Sequence, residues 1–356
     1  MPRRAARCFT RSSCHLRNEF AQVKALHPGR FFTNGCQRRL SLPDAYLSLA
    51  CSMNPPQTAK DRLFAQAQHD YQPELVAIDA EAIARLPARA DRFSNMIVGL
   101  SGKPAGRTPE GAAAYSIALN SLNFMFWTPT ADGVARYHWG KEGGAHGLQA
   151  ALDHVWGDES TPVRLRERLG AGEEPAVVDA LGDISLPRRR AQFLREVLSG
   201  DALEQAAAGL VAAGQSGRLT SDDAEGLANR FPMAYGQDAY LMRAQLAVMW
   251  YAGYLLEQGI HVDCDITVAA SYQMPRVMRS IKVLRFAPEL AAKIDSHTLL
   301  MRNSAEERAI RSATVLGAQA MARHLEVSEH AMVNVLWQNR HACGTVPYHL
   351  TVTTDY

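Results

Sequence analysis

A chain of 356 residues that is 47% hydrophobic can bury a large core, in one large domain or two small ones. Its net charge of +2 gives no global pull toward nucleic acid. No apolar run reaches the roughly 18 residues that a bilayer crossing needs, since the stretch from Met249 to Leu256 is short and flanked by polar residues, so a soluble body is expected.

The first segment stands apart. Residues 1–40 hold Arg3, Arg4, Arg7, Arg11, Arg17, Arg30, Arg38 and Arg39 against the single acid Glu19, and Cys8, Cys14, Cys36 and Cys51 all precede Met53. No helical or strand period runs through it. Residues 1–52 are therefore expected to be a disordered extension ahead of a natural start at Met53, or an acid-poor targeting leader. Cys8, Cys14, His15 and Cys36 lack the paired Cys-x-x-Cys spacing of a zinc site, so no metal is expected there. Only Cys264 and Cys343 remain in the body, which suits a reducing cytoplasm without a disulfide framework.

From Pro55 onward the chain is punctuated like a helical protein. Apolar spacing predicts a helix over Ala112–Leu122, and Ala- and Leu-rich composition another over Asp201–Ala213. A third is expected from Ala239 to Gln258, stopped by Gly259 as its cap. Ser304-Ala305-Glu306-Glu307 reads as a capping box that opens a long helix to about His324, and Ser328 opens the last one through Trp337. Strand-like alternation is confined to Val262–Val268 and His349–Thr354. The expected class is mainly α, a helical bundle with at most a small sheet. Its body, 53–356, is read as two lobes, approximately 53–200 and 201–356, joined by surface helices and loops over 157–200.

Two segments concentrate side chains suited to a pocket: Asn120-Ser121-Leu122-Asn123-Phe124-Met125-Phe126-Trp127 and Ala269-Ala270-Ser271-Tyr272-Gln273-Met274-Pro275-Arg276. Between and beyond them, in order, stand Gly140, Gly144 and Gly147, then Phe231-Pro232, Arg243-Ala244-Gln245, Glu306 to Arg311, Leu336-Trp337, Pro347-Tyr348-His349 and Tyr356. This succession resembles the queuosine salvage family from about Ala65 to Tyr356. The resemblance implies a fold like that of the helical DNA glycosylases, and cleavage of the N-glycosidic bond of queuosine 5′-phosphate to release queuine, with neither metal nor cofactor. It also implies a small-molecule nucleotide as partner, without direct contact to nucleic acid or membrane. The chain departs from the family pattern where that pattern carries acids. Asn120 and Ser271 stand where the family has aspartates, the second being its catalytic carboxylate. Val333, or Asn334 with a one-residue shift, and Gln338 stand where family acids or amides meet the edge of the base.

Breaking a bond between ribose and a base builds positive charge at the anomeric carbon, which a carboxylate beneath the ring stabilises or attacks. The departing base must be protonated, a phosphate calls for Arg, Lys or a helix N-terminus, and a flat base calls for aromatic walls. Ser271 cannot supply a carboxylate's charge. The nearest acids in sequence, Asp263 and Asp265, reach the sugar only if the backbone between is irregular, because six residues of regular helix turn about 600°; otherwise they are solvated loop or capping acids. Tyr272 is placed to stack on or bond the base, beside Ala269 and Ala270, and Pro275 to sit in the first turn of a helix aimed at the site. Phe124, Phe126 and Trp127 read either as an aromatic sandwich or as core, and Asn120 as pocket lining or as a buried polar residue needing partners. Arg243 reads as a phosphate ligand or as the partner of Glu306 or Glu307, and His349 as a phosphate ligand, an acid or a structural histidine. The alternative from another class is a reassigned or inactive homologue that binds a modified nucleotide without cleaving it, and between them stands an enzyme for another N-riboside.

Overall fold

The computed structural model describes residues 58–86, 108–130, 133–156, 166–168, 170–173 and 178–356. The N-terminal extension with its cysteines, and much of the stretch between 157 and 177, lie outside the described residues.

Helices dominate: α1 (Ala59–Asp70), α2 (Ala80–Ala84), α3 (Pro109–Ser121), α4 (Gly144–Trp156), α5 (Pro187–Val197) and α6 (Ala202–Gln215). They are followed by α7 (Ser221–Arg230), α8 (Met242–Glu257), α9 (Gln273–Ser280), α10 (Pro288–Asp295), α11 (Ala305–Leu325) and α12 (Glu329–Gln338). A 3-10 turn, Asn339–Cys343, continues directly from α12. The centre is α3, whose residues from Ala112 to Ser121 are all buried beneath α6 and α8. It starts earlier than its apolar spacing suggests because Thr108 accepts a hydrogen bond from the Gly111 N–H at 3.0 Å and Pro109 presets the first helical φ. One apolar core runs from Val76 to Tyr356, so residues on both sides of position 200 share it.

The expected start of α8 at Ala239 shifts to Met242. Leu241 takes a left-handed φ of 50°, and the Asp238 carboxylate accepts from the N–H groups of Tyr240 and Met242 at 3.0 and 2.8 Å, so the helix begins only after this cap. Its end is as expected: Gly259, at φ 76°, donates to Leu256 O while Ile260 N–H returns to Leu255 O. Ser304 caps α11, accepting from the Glu307 N–H, but the Glu307 carboxylate turns inward, to the Asn303 N–H and the Tyr356 hydroxyl, instead of closing the box.

The strands form only two-stranded pieces. Antiparallel pairs join β1 (Val76–Ile78) to β8 (Leu284–Phe286), β2 (Trp127–Thr130) to β3 (Gly133–Arg136), and β4 (His138–Trp139) to β5 (Glu142–Gly143). Parallel pairs join β6 (Arg218–Thr220) to β7 (Asp263–Asp265) and β9 (Leu299–Leu300) to β10 (Leu350–Thr351). The alternation over Val262–Val268 thus yields strand only at Asp263–Asp265, because the backbone at Thr267 is bonded to the Gln245 side chain instead of to a neighbouring strand. The β2–β3 and β4–β5 hairpins were not legible in the sequence: β2 contains Pro129, and the second hairpin has only two paired residues per strand around a turn where Gly140 takes φ 59°. Among the described residues no helix is long and apolar enough to cross a membrane.

Candidate active site

The first segment of the site is the irregular turn that leaves α3. Its carbonyls point inward with no helix to receive them, and two buried arginines take them. Arg243, on α8, donates to Ser121 O at 2.5 Å, and Arg190, on α5, donates to Leu122 O and Phe124 O. Cations also suit the negative end of α3. Burial pulls the Arg243 guanidinium down to about 10 and the Arg190 guanidinium, beside it, to about 9, so both stay charged at neutral pH. Their charge lies against ring faces, Arg190 4.0 Å from the Phe124 centroid and Arg243 5.1 Å from it.

The second segment, Ile266 to Tyr272, is irregular too and is pinned from behind. Gln245 Oε1 accepts from Thr267 N–H at 2.7 Å, and Arg311 donates to Ala270 O at 3.2 Å while its other nitrogens grip Asp238 at 2.8 and 2.9 Å. Burial opposes ionisation of Asp238, yet Arg311 and the capping N–H groups hold its carboxyl below the usual range. From this frame Ser271 stands half-buried at the N-terminus of α9, accepting from the Gln273 N–H at 3.3 Å. Tyr272 follows, its ring 4.8 Å from that of Tyr348 and 6.4 Å from that of Tyr356.

Both segments open on one cavity of about 460 Å³. Met242, Leu246, Met249 and Trp250 from one face of α8 supply an apolar wall, with Val333 from α12. Arg136, His138, His146, Arg276, Arg340 and His341 supply basic groups, and Glu142 is the one carboxylate side chain that lines the cavity among the described residues. Arg276 is occupied by the carbonyls of Arg340, Gly344 and Val346, and so holds the 3-10 turn in place. His341 is kept below its ordinary pKa by partial burial and then by Arg340, Arg276, His146 and Arg136. His146 is kept low by burial and by Arg340, against the pull of Glu142. An apolar and aromatic enclosure that carries positive charge fits a flat heterocycle joined to an anionic group. Among the described residues no set of three or more His, Cys, Asp or Glu could hold a metal ion.

The sequence model of the family described as "Queuosine salvage protein" matches residues 235–350, which include Arg243, Ser271, Tyr272 and α12. The chain is also 27% identical over 328 residues to a queuosine 5′-phosphate N-glycosylase/hydrolase of Sphaerobacter thermophilus, an alignment that covers 84% of this chain and 97% of the relative. Both comparisons make the chain similar to queuosine salvage proteins.

In this chain Ser271, Ala269, Tyr272 and Val333 line the cavity together. Asp263 and Asp265 do not line it. β7 carries them to the β6 side, where Arg218 pairs with Asp263 at 3.4 Å and with Asp265 at 2.7 Å, and Lys60 also binds Asp265. These ion pairs hold the Asp265 carboxyl below its ordinary range against its own desolvation. Phe124 and Trp127 are core residues, and Phe126 is the aromatic of that segment that reaches the cavity. Asn120 is fully buried: its Nδ2 donates to Ser116 O at 2.9 Å and its Oδ1 accepts at 2.9 Å from Asn123, which does line the cavity. Arg243 is a brace for the turn, paired neither with Glu306 nor with Glu307. Ala270 contributes its carbonyl to Arg311, Asn334 is buried in α12, and Gln338 is exposed at the helix end. His349 is buried, 3.0 Å from the Tyr356 hydroxyl, and burial with the nearby Arg311 pulls it down to about 3, so it is neutral at neutral pH. The sequence reading missed Arg136, Glu142, His146, Arg340 and His341, which come from two hairpins, the first turn of α4 and a 3-10 turn. Only the glycine spacing at Gly140, Gly144 and Gly147 marks that neighbourhood.

Proposed function

We propose that this protein hydrolyses the N-glycosidic bond of queuosine 5′-phosphate, or of a closely related 7-deazaguanine nucleotide, releasing the free base for salvage. Water adds at the anomeric carbon as the C–N bond breaks, so the products are the protonated base and ribose 5-phosphate. The observation that carries the reading is the convergence of both family segments on one cavity, where Phe126 and Tyr272 stand with the α8 wall and the basic groups. It is supported by the S. thermophilus relative, which aligns over nearly its whole length. In this reading the base packs against the aromatic and α8 side and the ribose lies over Ser271. A small-molecule substrate and a cytoplasmic setting go with it.

Incubation with queuosine 5′-phosphate followed by chromatography is the direct test, with queuine and ribose 5-phosphate expected in equal amounts. A protein that is thermally stabilised by the nucleotide but releases no queuine would sink the hydrolytic reading and leave a binding protein.

A further inference from the structure

Hydrolysis of an N-riboside needs an acceptor for a proton of water and a negative charge facing the anomeric carbon. Ser271 supplies no such charge, and Asp263 and Asp265 are turned away to Arg218 and Lys60. Acids packed inside the body are engaged as well: Asp238 by Arg311, Asp355 by Arg302, and Glu307 by the Tyr356 hydroxyl. Glu142 differs from all of them. Its side chain lines the cavity, and among the described residues no hydrogen bond or ion pair engages it.

Backbone contacts fix its place. Glu142 pairs with Trp139 across the β4–β5 hairpin. Two residues on, the Gly144 N–H donates to Tyr137 O at 3.0 Å and the Tyr137 N–H to Phe126 O at 2.9 Å, while the Phe126 and Tyr137 rings stack at 6.0 Å. The hairpin therefore hangs from the same turn after α3 that brings Phe126 to the cavity. Gly143 is kept small by its neighbour, since a Cβ there would meet the His138 ring at 3.1 Å. So anchored, Glu142 is an exposed carboxylate on a flexible arm, open to solvent water on one side and to the ligand space on the other. A cavity of about 460 Å³ is the size of one small ligand, so Glu142 on the hairpin wall and Ser271 on the α9 wall face the same molecule.

We propose that Glu142 is the catalytic carboxylate of this cavity, accepting a proton from the water that adds to the anomeric carbon. This role rests on the nucleotide reading above. The water oxygen bonds to the anomeric carbon as the C–N bond breaks, and the electron pair of that bond passes to the base nitrogen. The proton of the water goes to Glu142 and from there to the departing base, which restores the carboxylate. While the bond breaks, positive charge grows on the ribose, and the charge of the carboxylate stabilises it. The negative group thus comes from the hairpin wall instead of from α9.

Full-chain wild type and Glu142→Gln are to be compared for queuine release from queuosine 5′-phosphate and for thermal stabilisation by the same nucleotide. The substitution should lower kcat by about 100-fold or more while KM and the stabilisation change little, because the transition state alone uses the charge. Formate, a free carboxylate, should raise the rate of Glu142→Ala by about tenfold or more, and chloride at the same concentration should not. A Glu142→Gln protein within about threefold of the wild-type kcat overturns the proposal. So does a lost rate that comes with equally lost nucleotide binding, and so does a Glu142→Ala protein that formate leaves unchanged. The hydrolytic reading fails separately: a wild type that releases no queuine sinks both, whereas release that survives Glu142→Gln sinks the role of Glu142 alone.

Discussion

Ser271 concentrates the question of rate. Its hydroxyl, which the resemblance sets where the family carries a carboxylate, stands at the N-terminus of α9, accepting from the Gln273 N–H. A carboxylate there would be favoured in its charged form by that N–H and by the helix dipole. Ser271→Asp should therefore introduce an ionised acid, and hydrolysis of queuosine 5′-phosphate is expected to rise by about 100-fold or more, within the range assigned to one positioned acid or base. Single-turnover rates of the two proteins would decide it. A Ser271→Asp protein no faster than the wild type would mean that the reacting carbon lies elsewhere in the cavity. Arg243 teaches the opposite lesson. It sits in a recognisable motif, yet its work is to hold Ser121 O and to fill a box of aromatic rings, so motif membership here identifies scaffold as well as site.

At the scale of elements, the cavity depends on how the β4–β5 hairpin lies against α4. Gly147 is the point of closest approach: a Cβ there would fall 2.8 Å from Glu142 O and 3.2 Å from Trp139 N, both backbone atoms that cannot swing aside. Gly147→Ala must push the hairpin outward, carrying Glu142 and His138 with it and shifting His146, at a cost of about 1–3 kcal/mol. The strain falls on the hairpin, which is not part of the apolar core, so the fold should persist while affinity for queuosine 5′-phosphate falls about tenfold or more. Helicity by circular dichroism and a nucleotide titration check the two halves of this expectation. Unchanged nucleotide affinity in a folded Gly147→Ala protein would show that the hairpin does not shape the cavity.

The whole molecule carries a pH signature in its buried histidines. Burial holds His330 down to about 4, and burial with Arg311 holds His349 down to about 3, against an ordinary value of 6.5. Between those values and 6.5 the unfolded chain binds protons that the folded protein refuses, so stability is complete above about pH 6.5 and declines as the pH falls. Each group contributes a slope of at most about 1.4 kcal/mol per pH unit within its window. Asp238, whose folded carboxyl is held below its ordinary range, adds a further loss below about pH 4, where the unfolded chain takes up its proton first. Glu307 acts in the other direction, because burial raises its carboxyl and favours the proton-bearing folded form above its ordinary value. The net expectation is a melting temperature that falls by several degrees between about pH 7 and about pH 4.5, with His330→Leu reducing the fall. A fall of equal size in His330→Leu would show that this buried ring does not contribute.

The amino-acid sequence by itself determined the helical class, the resemblance to a family, and the ends of several helices, because these depend on local signals: Gly259 ends α8, Ser304 and Ser328 open α11 and α12, and two irregular segments carry the family's pattern. It also located Ser271, Tyr272, Ala269 and Val333, which the fold gathers around one cavity. Tertiary structure alone decided that Asp263 and Asp265 face Arg218 and Lys60 on the far side of β7, and that Phe124, Trp127 and Arg243 belong to the support of the site. It alone brought Arg136, His146, Arg340 and His341 together. Arg136 and His146 lie about two hundred residues before Arg340 and His341, in short elements where no period marks them. Their meeting is set by long-range packing of the hairpins and the 3-10 turn, held by Arg276 and by the close contact at Gly147, and no window of sequence contains that information.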